Sequence, residues 1–75
     1  MTFPDLSPVT FKLNGKLVDF PTELTVSELL ARKELKAQMV VVEINGEIVA
    51  RASFDDVVLR SGDEVEIVHF VGGGK

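Results

Sequence analysis

The end of the chain most constrains the fold, because a strand suited to a buried position runs almost directly into a run of glycines. Residues 64–71 are rich in β-branched and aromatic side chains, which favour the interior of a sheet. Gly72, Gly73 and Gly74 follow and offer no side chain to pack. This pattern predicts a rigid strand with a flexible tail over residues 72–75. Such a tail suits insertion into a narrow site on another protein, although a frayed end is the plainer interpretation.

Size and composition predict one small domain and argue against several kinds of function. The 75 residues are 45% hydrophobic and 27% charged, which is typical of a folded core. The absence of cysteine and the single histidine argue against a zinc site or a Cys/His catalytic site. A net charge of −4 argues against a nucleic-acid partner and suits a partner with a basic surface. We expect a cytoplasmic protein, since the lack of cysteine fits a reducing compartment and no apolar run has the length of a membrane span.

The first half of the chain carries clear hairpin signals. Residues 1–8 contain two prolines and no periodicity, and they predict a mobile leader. Val9–Leu13 alternates apolar and polar residues, and Asn14-Gly15 favours a type I′ turn. With a two-residue loop, Phe11 opposes Val18 and the apolar residues of both strands share one face.

A helix is predicted next. Thr25-Val26-Ser27-Glu28 has the pattern of a capping box, with Thr25 as the N-cap and Leu24 and Leu29 placed as a hydrophobic staple. The apolar spacing that follows predicts a helix from about Val26 to about Glu34, which would cover the inner face of a sheet.

The second half predicts more strands. Residues 39–44 predict a strand, and Asn45-Gly46 a second type I′ turn into residues 47–49. Residues 50–60 have no clean period; Ser53 is expected to cap a short helical turn, with Phe54 and Leu59 in the core. The order of elements predicts an α+β fold in which one main helix packs across one face of a mixed sheet of four to five strands. This is the ubiquitin-like β-grasp arrangement, with the domain expected over residues 9–71 and the final strand beside the first and parallel to it.

The other face of that sheet has no second layer to cover it. On the final strand Val65 and Ile67 should face the helix, so Val68 and Phe70 should point to the open face. Leu17, Val41 and Ile48 fall on the same face by the hairpin registers. A cluster of exposed apolar residues beside the tail favours a docking surface, with Val68, Phe70 and Val71 as the predicted partner-binding residues. The plainer interpretation is that an uncovered sheet carries some Val and Ile because they favour strands.

The chain carries no recognisable catalytic group of its own. His69 has no carboxylate at a useful spacing, and a lone histidine of this kind is more often a sheet residue than a catalyst. The acidic pairs Asp55-Asp56 and Asp63-Glu64 fall at turns. The sequence contains neither a phosphate-binding glycine loop nor a nucleophile elbow. The chain by itself therefore contains no recognisable catalytic site.

Several segments taken together resemble one family. They include the first turn, the helix start, residues 42–49 around the second turn, residues 62–68, and the ending Phe70-Val71-Gly72-Gly73-Gly74. From about Val9 to Gly74 the chain resembles the bacterial sulfur carriers of thiamine synthesis, the ThiS family. A double glycine alone would be shared with ubiquitin and with the small subunit of molybdopterin synthase.

This resemblance implies a carrier of sulfur rather than an enzyme, and one that binds no metal or cofactor itself. In the family, an ATP-using enzyme adenylates the C-terminal glycine carboxylate, a thiocarboxylate forms with sulfur from a donor protein, and thiazole synthase receives the sulfur. Gly74 would bear the adenylate and then the sulfur, while Gly72 and Gly73 would thread the partner's channel. Three extended residues reach roughly 10 Å.

Lys75 departs from the family's pattern, because it turns the Gly74 carboxylate into an amide. We expect Lys75 to be removed before activation.

Three other functions are alternatives to a sulfur carrier for thiazole formation. They are a sulfur carrier for the molybdopterin pathway, a ubiquitin-like protein modifier joined through Gly74, and an interaction module whose tail does nothing.

Overall fold

Five strands form the main sheet in a computed structural model that describes residues 7–70. The elements are β1 Val9–Leu13, β2 Lys16–Phe20, β3 Leu24–Thr25, α1 Val26–Arg32, β4 Val40–Ile44, β5 Glu47–Ile48, β6 Val58–Leu59 and β7 Glu64–His69. The strand order in the main sheet is β2-β1-β7-β4-β5. Strands β1 and β7 run parallel, and the other neighbours pair antiparallel. The helix α1 covers the inner face of the sheet, and two short strands, β3 and β6, pair outside it.

The first hairpin has the predicted register. Phe11 lies opposite Val18, and Leu13 lies opposite Lys16. Asn14 and Gly15 both have positive φ, at 51° and 85°, as a type I′ turn requires. The parallel pairing of β1 with β7 is confirmed as well, through Lys12 with Glu64 and Leu13 with Val65.

The capping box begins the helix where the sequence predicts. The Thr25 hydroxyl accepts from the Glu28 N–H at 3.1 Å, and the Glu28 carboxylate accepts from the Thr25 N–H at 2.7 Å. The predicted end at about Glu34 is two residues too long, because Arg32 is the last helical residue. Glu34 adopts a left-handed φ of 59°, and the Leu35 N–H then donates to the Leu30 carbonyl at 2.9 Å.

The connection from β4 to β7 departs from the sequence interpretation in three places. Met39 ends a 3₁₀ turn over Ala37–Met39, so β4 starts one residue later than predicted, and β5 ends at Ile48 rather than residue 49. Ser53 does not cap a helical turn: it is the last residue of a 3₁₀ turn over Arg51–Ser53 that has no side-chain cap. Its carbonyl instead accepts from the N–H groups of the two residues at positions 56 and 57.

The strand pair β3–β6 was not predicted, and it fixes the connection against the helix start. Leu24 lies opposite Leu59, and both are buried. The first two helical N–H groups, of Val26 and Ser27, donate to the carbonyls of Val57 and Phe54 at 3.0 Å each. Two of the helix's four unpaired amides are thereby satisfied by this connection.

One apolar core lies between the helix layer and the inner face. Burial of Phe54 and Leu59 is confirmed. Among the described residues no buried side chain is polar or charged. The core residues are Val9, Phe11, Leu13, Leu24, Val26, Leu29, Leu30, Val40, Val42, Phe54, Leu59 and Val65.

We expect the substitution Thr25→Ala to lower the free energy of unfolding by about 1 kcal/mol, since it removes the oxygen that accepts from the Glu28 N–H. Urea denaturation followed by circular dichroism measures the change. Thr25→Ser is the control, because it keeps an acceptor in the same place. Equal stability of the two variants would contradict this role for the capping box.

Candidate functional site

Strand β7 delivers the chain to the glycine run from the middle of the sheet. The β4 partner follows it to the end of the described chain, where the Phe70 N–H donates to the Met39 carbonyl at 2.8 Å. The predicted tail residues Gly72, Gly73 and Gly74 and the predicted contact residue Val71 lie outside the described residues. The point from which they depart is therefore fixed by pairing with a central neighbour.

Asn14 supports the other side of β7. Its N–H donates to the Val65 carbonyl at 2.8 Å. Its side-chain oxygen accepts from the Ile67 N–H at 2.8 Å, and its amide nitrogen donates to the Ile67 carbonyl at 3.3 Å. The Asn14 side chain therefore takes the place of the next β1 residue in pairing with β7, although the backbone has already entered the turn.

Asn45 makes the equivalent contact at the start of β7. Its N–H donates to the Glu64 carbonyl at 2.8 Å, and its side-chain oxygen accepts from the Glu64 N–H at 2.9 Å. Its amide nitrogen also donates to the Asp63 carboxylate at 3.1 Å. Sequence reasoning assigned both asparagines to turns only. The signal that could have found their second role is the residue type, because an amide offers a donor and an acceptor together.

An apolar patch lies on the outer face, which the helix does not cover. Val68 is 58% exposed and Phe70 44%, as the period of β7 predicts. Val41 lies directly opposite Val68, and Ile48, which is 70% exposed, lies on the neighbouring strand opposite Glu43. We call these four residues, Val41, Ile48, Val68 and Phe70, the outer patch.

Leu17 shares the outer face but lies apart from this patch. It pairs with Lys12, which in turn lies opposite Glu64 at the start of β7. Strand β1 lies between Leu17 and β7, and Val68 lies four residues further along β7 than Glu64, roughly 13 Å along the strand direction alone. The sequence interpretation that grouped Leu17 with the others holds for the face and not for the cluster.

Acidic side chains border the outer patch. Glu43 lies directly opposite Glu66, and the same face carries Glu64 one step further along β7. Like charges in opposed positions destabilise a sheet. Within residues 7–70 the only ion pair joins Arg60 to Glu23, so none of these glutamates is neutralised in this way. The border of the patch is therefore suited to a basic surface on a partner.

The described residues hold no recognisable catalytic or metal centre. No group of three or more His, Asp or Glu side chains within residues 7–70 could hold a metal ion. His69 is exposed and lies on the inner-face side of β7, opposite Val40. Within residues 7–70, no helix combines the length and the apolar character that a transmembrane span requires. What the described residues offer instead is the exposed apolar outer patch, which includes the last part of the described chain at Val68 and Phe70.

Comparison with known proteins gives consistent matches. The model of the ThiS family matches residues 9–74. The chain is 44% identical over 64 residues to the sulfur carrier protein ThiS of Bacillus subtilis. The aligned region covers 84% of this chain and 97% of that protein. It is also 40% identical over 62 residues to a thiazole synthase of Paramagnetospirillum magneticum, covering 83% of this chain but 19% of the synthase. The crystal structure of a thiamine biosynthesis protein (ThiS) from Geobacter metallireducens superposes with a TM-score of 0.75 at 38% identity, over 88% of this chain and 100% of that chain.

We expect Asn14→Gly to lower the free energy of unfolding by about 1–3 kcal/mol, because the variant keeps the positive φ but loses both side-chain hydrogen bonds to Ile67. The Ile67 amide should also exchange with solvent faster, which hydrogen-exchange NMR measures. Asn14→Asp is the comparison variant, since it keeps the acceptor and loses the donor. An Ile67 amide that stays as protected in Asn14→Gly as in the parent would contradict the role of this side chain.

Proposed function

The chain belongs to the ThiS family, and from this we propose that it carries sulfur for thiazole formation in thiamine synthesis. It is a protein-borne sulfur donor on which partner enzymes act, and not itself a catalyst. The observation that carries this proposal is the extent of the match, which runs through the β-grasp domain and includes the glycines up to Gly74.

The reactive group of the proposal is the carboxylate of Gly74. A carboxylate is a poor acyl electrophile, so sulfur cannot displace its oxygen until a better leaving group is attached. The carboxylate attacks the α-phosphate of ATP on an adenylating enzyme and releases pyrophosphate. Sulfide released by a donor protein then displaces AMP and leaves a thiocarboxylate. ATP belongs to the partner, and the carrier itself binds no cofactor.

Glycines at positions 72–74 suit this chemistry. The absence of Cβ leaves the activated carbonyl open to the nucleophile and lets the main chain lie close to the walls of a channel. Gly72 and Gly73 thread that channel. The chemistry requires a free Gly74 carboxylate, so a chain that retains Lys75 is inactive until this residue is removed.

Thiazole synthase is the proposed recipient of the sulfur. The similarity to thiazole synthases covers 19% of each of two such proteins, so a segment like this chain is part of the same polypeptide as the synthase in those proteins. Fusion of a carrier-like segment to a synthase supports their acting together. The outer patch, with Val68 and Phe70 nearest the tail, is the proposed contact surface for the partners, together with Val71.

We expect a protein ending at Gly74 to gain about 16 Da when incubated with the adenylating enzyme of its own organism, ATP and sulfide, since sulfur replaces one oxygen of the terminal carboxylate. Intact-mass spectrometry measures the gain. The control is the same protein with Lys75 retained and no protease present, which should stay unchanged. Ladders of conjugates to other proteins would indicate a modifier instead, and an unchanged mass of the protein ending at Gly74 would contradict the proposal.

We expect Phe70→Asp to weaken binding to the adenylating enzyme at least tenfold, because a carboxylate replaces a half-exposed aromatic ring of the outer patch. Isothermal titration calorimetry measures the affinity, and circular dichroism should show an unchanged fold. Leu17→Asp is the matched control, since Leu17 is as exposed as Ile48 on the same face but lies outside the patch. Equal loss in both variants would mean that the patch is not the contact.

A further inference from the structure

A concave surface lies on the inner-face side of β7, opposite the outer patch. It is a groove of about 300 Å³ between the end of the first hairpin, the residues that follow α1 and the last part of β7. Apolar side chains form its floor, and two lysines stand at its rim. We call it the lysine groove, and define it by Leu13, Val18, Leu35, Ile67, Lys16 and Lys33.

The groove exists because the helix is shorter than the sheet that it covers. Seven helical residues span about 10 Å, whereas the six residues of β7 span about 20 Å. The helix buries Val65 completely but leaves Ile67 only partly covered and His69 exposed. The inner face therefore stays open at the end of the sheet from which the tail departs.

The charge of the groove is opposite to that of the molecule. Lys16 lies on the inner face because it pairs with Leu13, and Lys33 caps the C-terminus of α1. No carboxylate is among the described residues that line the groove, although the chain has a net charge of −4. Both lysine side chains are exposed, and neither forms an ion pair within residues 7–70. This combination suits a ligand that carries negative charge.

The groove also borders one unpaired position, His69, on the edge of β7 that faces β1. Along β7, the carbonyls of Asp63 and Val65 accept from β1, and Ile67 pairs with the Asn14 side chain. Because alternate residues of a strand direct their backbone groups to the same side, the N–H and C=O of His69 also point toward the β1 side. Within residues 7–70, β1 has no residue that lies opposite His69 and could form hydrogen bonds with these groups. An unpaired strand edge is a template for an added extended segment.

We propose that the lysine groove binds a short extended segment of a partner protein in which an apolar side chain is flanked by carboxylates. The apolar side chain packs on Leu13, Val18 and Ile67, while the carboxylates lie beside Lys16 and Lys33. The main chain of the segment pairs with His69 at the open edge. Such a partner would hold β7 from the face opposite the outer patch. The proposal does not depend on the sulfur chemistry.

The test is an NMR titration of the ¹⁵N-labelled chain with an acetylated and amidated hexapeptide, in which Val-Ile is flanked on each side by two glutamates. We expect saturable shifts of the amides of Lys16, Val18, Lys33, Leu35, Ile67 and His69. Lys16→Glu combined with Lys33→Glu should raise the peptide's dissociation constant at least tenfold. Lys12→Glu is the matched control and should change it less than twofold, because Lys12 is an exposed lysine on the outer face.

Three results would overturn the proposal. One is the absence of saturable shifts in the groove, or shifts confined to the outer patch. Another is equal binding of a hexapeptide in which lysines replace the glutamates, since this would indicate an apolar contact without charge selection. The third is saturation of the same amides by sodium phosphate alone at the same concentration, which would indicate a site for a small anion. The amide spectrum of each variant establishes that it is folded.

Discussion

Everything that the molecule presents to a partner depends on how the last strand is held. β7 has neighbours on both sides, and at each end an asparagine side chain supplies hydrogen bonds that a continuing strand would otherwise supply. Asn45 secures the start on the β4 side, and Asn14 secures Ile67 on the β1 side. Strand edges that are left unpaired fray, and these side chains prevent fraying of β7 at Glu64 and as far as Ile67. The orientation in which the chain leaves the domain is thereby fixed by backbone and amide pairing.

The mismatch between helix and sheet divides the surface around that exit into two different halves. On the outer face the sheet is bare, and four apolar residues meet a border of glutamates. On the inner face the helix stops early, and an apolar floor meets two lysines. The two faces of β7 therefore differ in charge while both are partly apolar. A partner that contacted both faces would bind β7 in one orientation only, because its charges would have to match a different charge on each face. Charge complementarity of this kind contributes more to specificity than to affinity.

The accuracy of prediction from the sequence follows the range of the interactions concerned. The first hairpin and the helix start were predicted correctly, because Asn14-Gly15 and the capping box act between residues close in the chain. The exposure of Val68 and Phe70 followed from the period of a single strand. The helix end was predicted two residues late, because Glu34 adopts positive φ without the glycine that usually marks such a position.

The order of elements also predicted the parallel pairing of the distant strands β1 and β7, but other features that join distant segments could not be found from the sequence. The β3–β6 pair involves two residues from each strand, too few for any periodicity to appear. Ser53 has a residue type that favours a cap, but the neighbouring chain places its carbonyl and not its hydroxyl in the turn. Leu17 lies on the predicted face of the sheet. Its distance from the outer patch follows only from the registers of β1 with β2 and of β1 with β7.

The two asparagines that secure β7 also make its hydrogen bonds sensitive to chemical degradation of the protein. Each precedes a glycine, and such a pair is prone to deamidation because the unhindered glycine nitrogen attacks the side-chain carbonyl. At Asn14 the product would set a carboxylate oxygen against the Ile67 carbonyl, so that two acceptors would face each other where a donor now stands. Ageing of the purified protein would thus loosen the strand at its exit while leaving the core untouched. A stored sample would lose orientation of its terminus before it lost its fold.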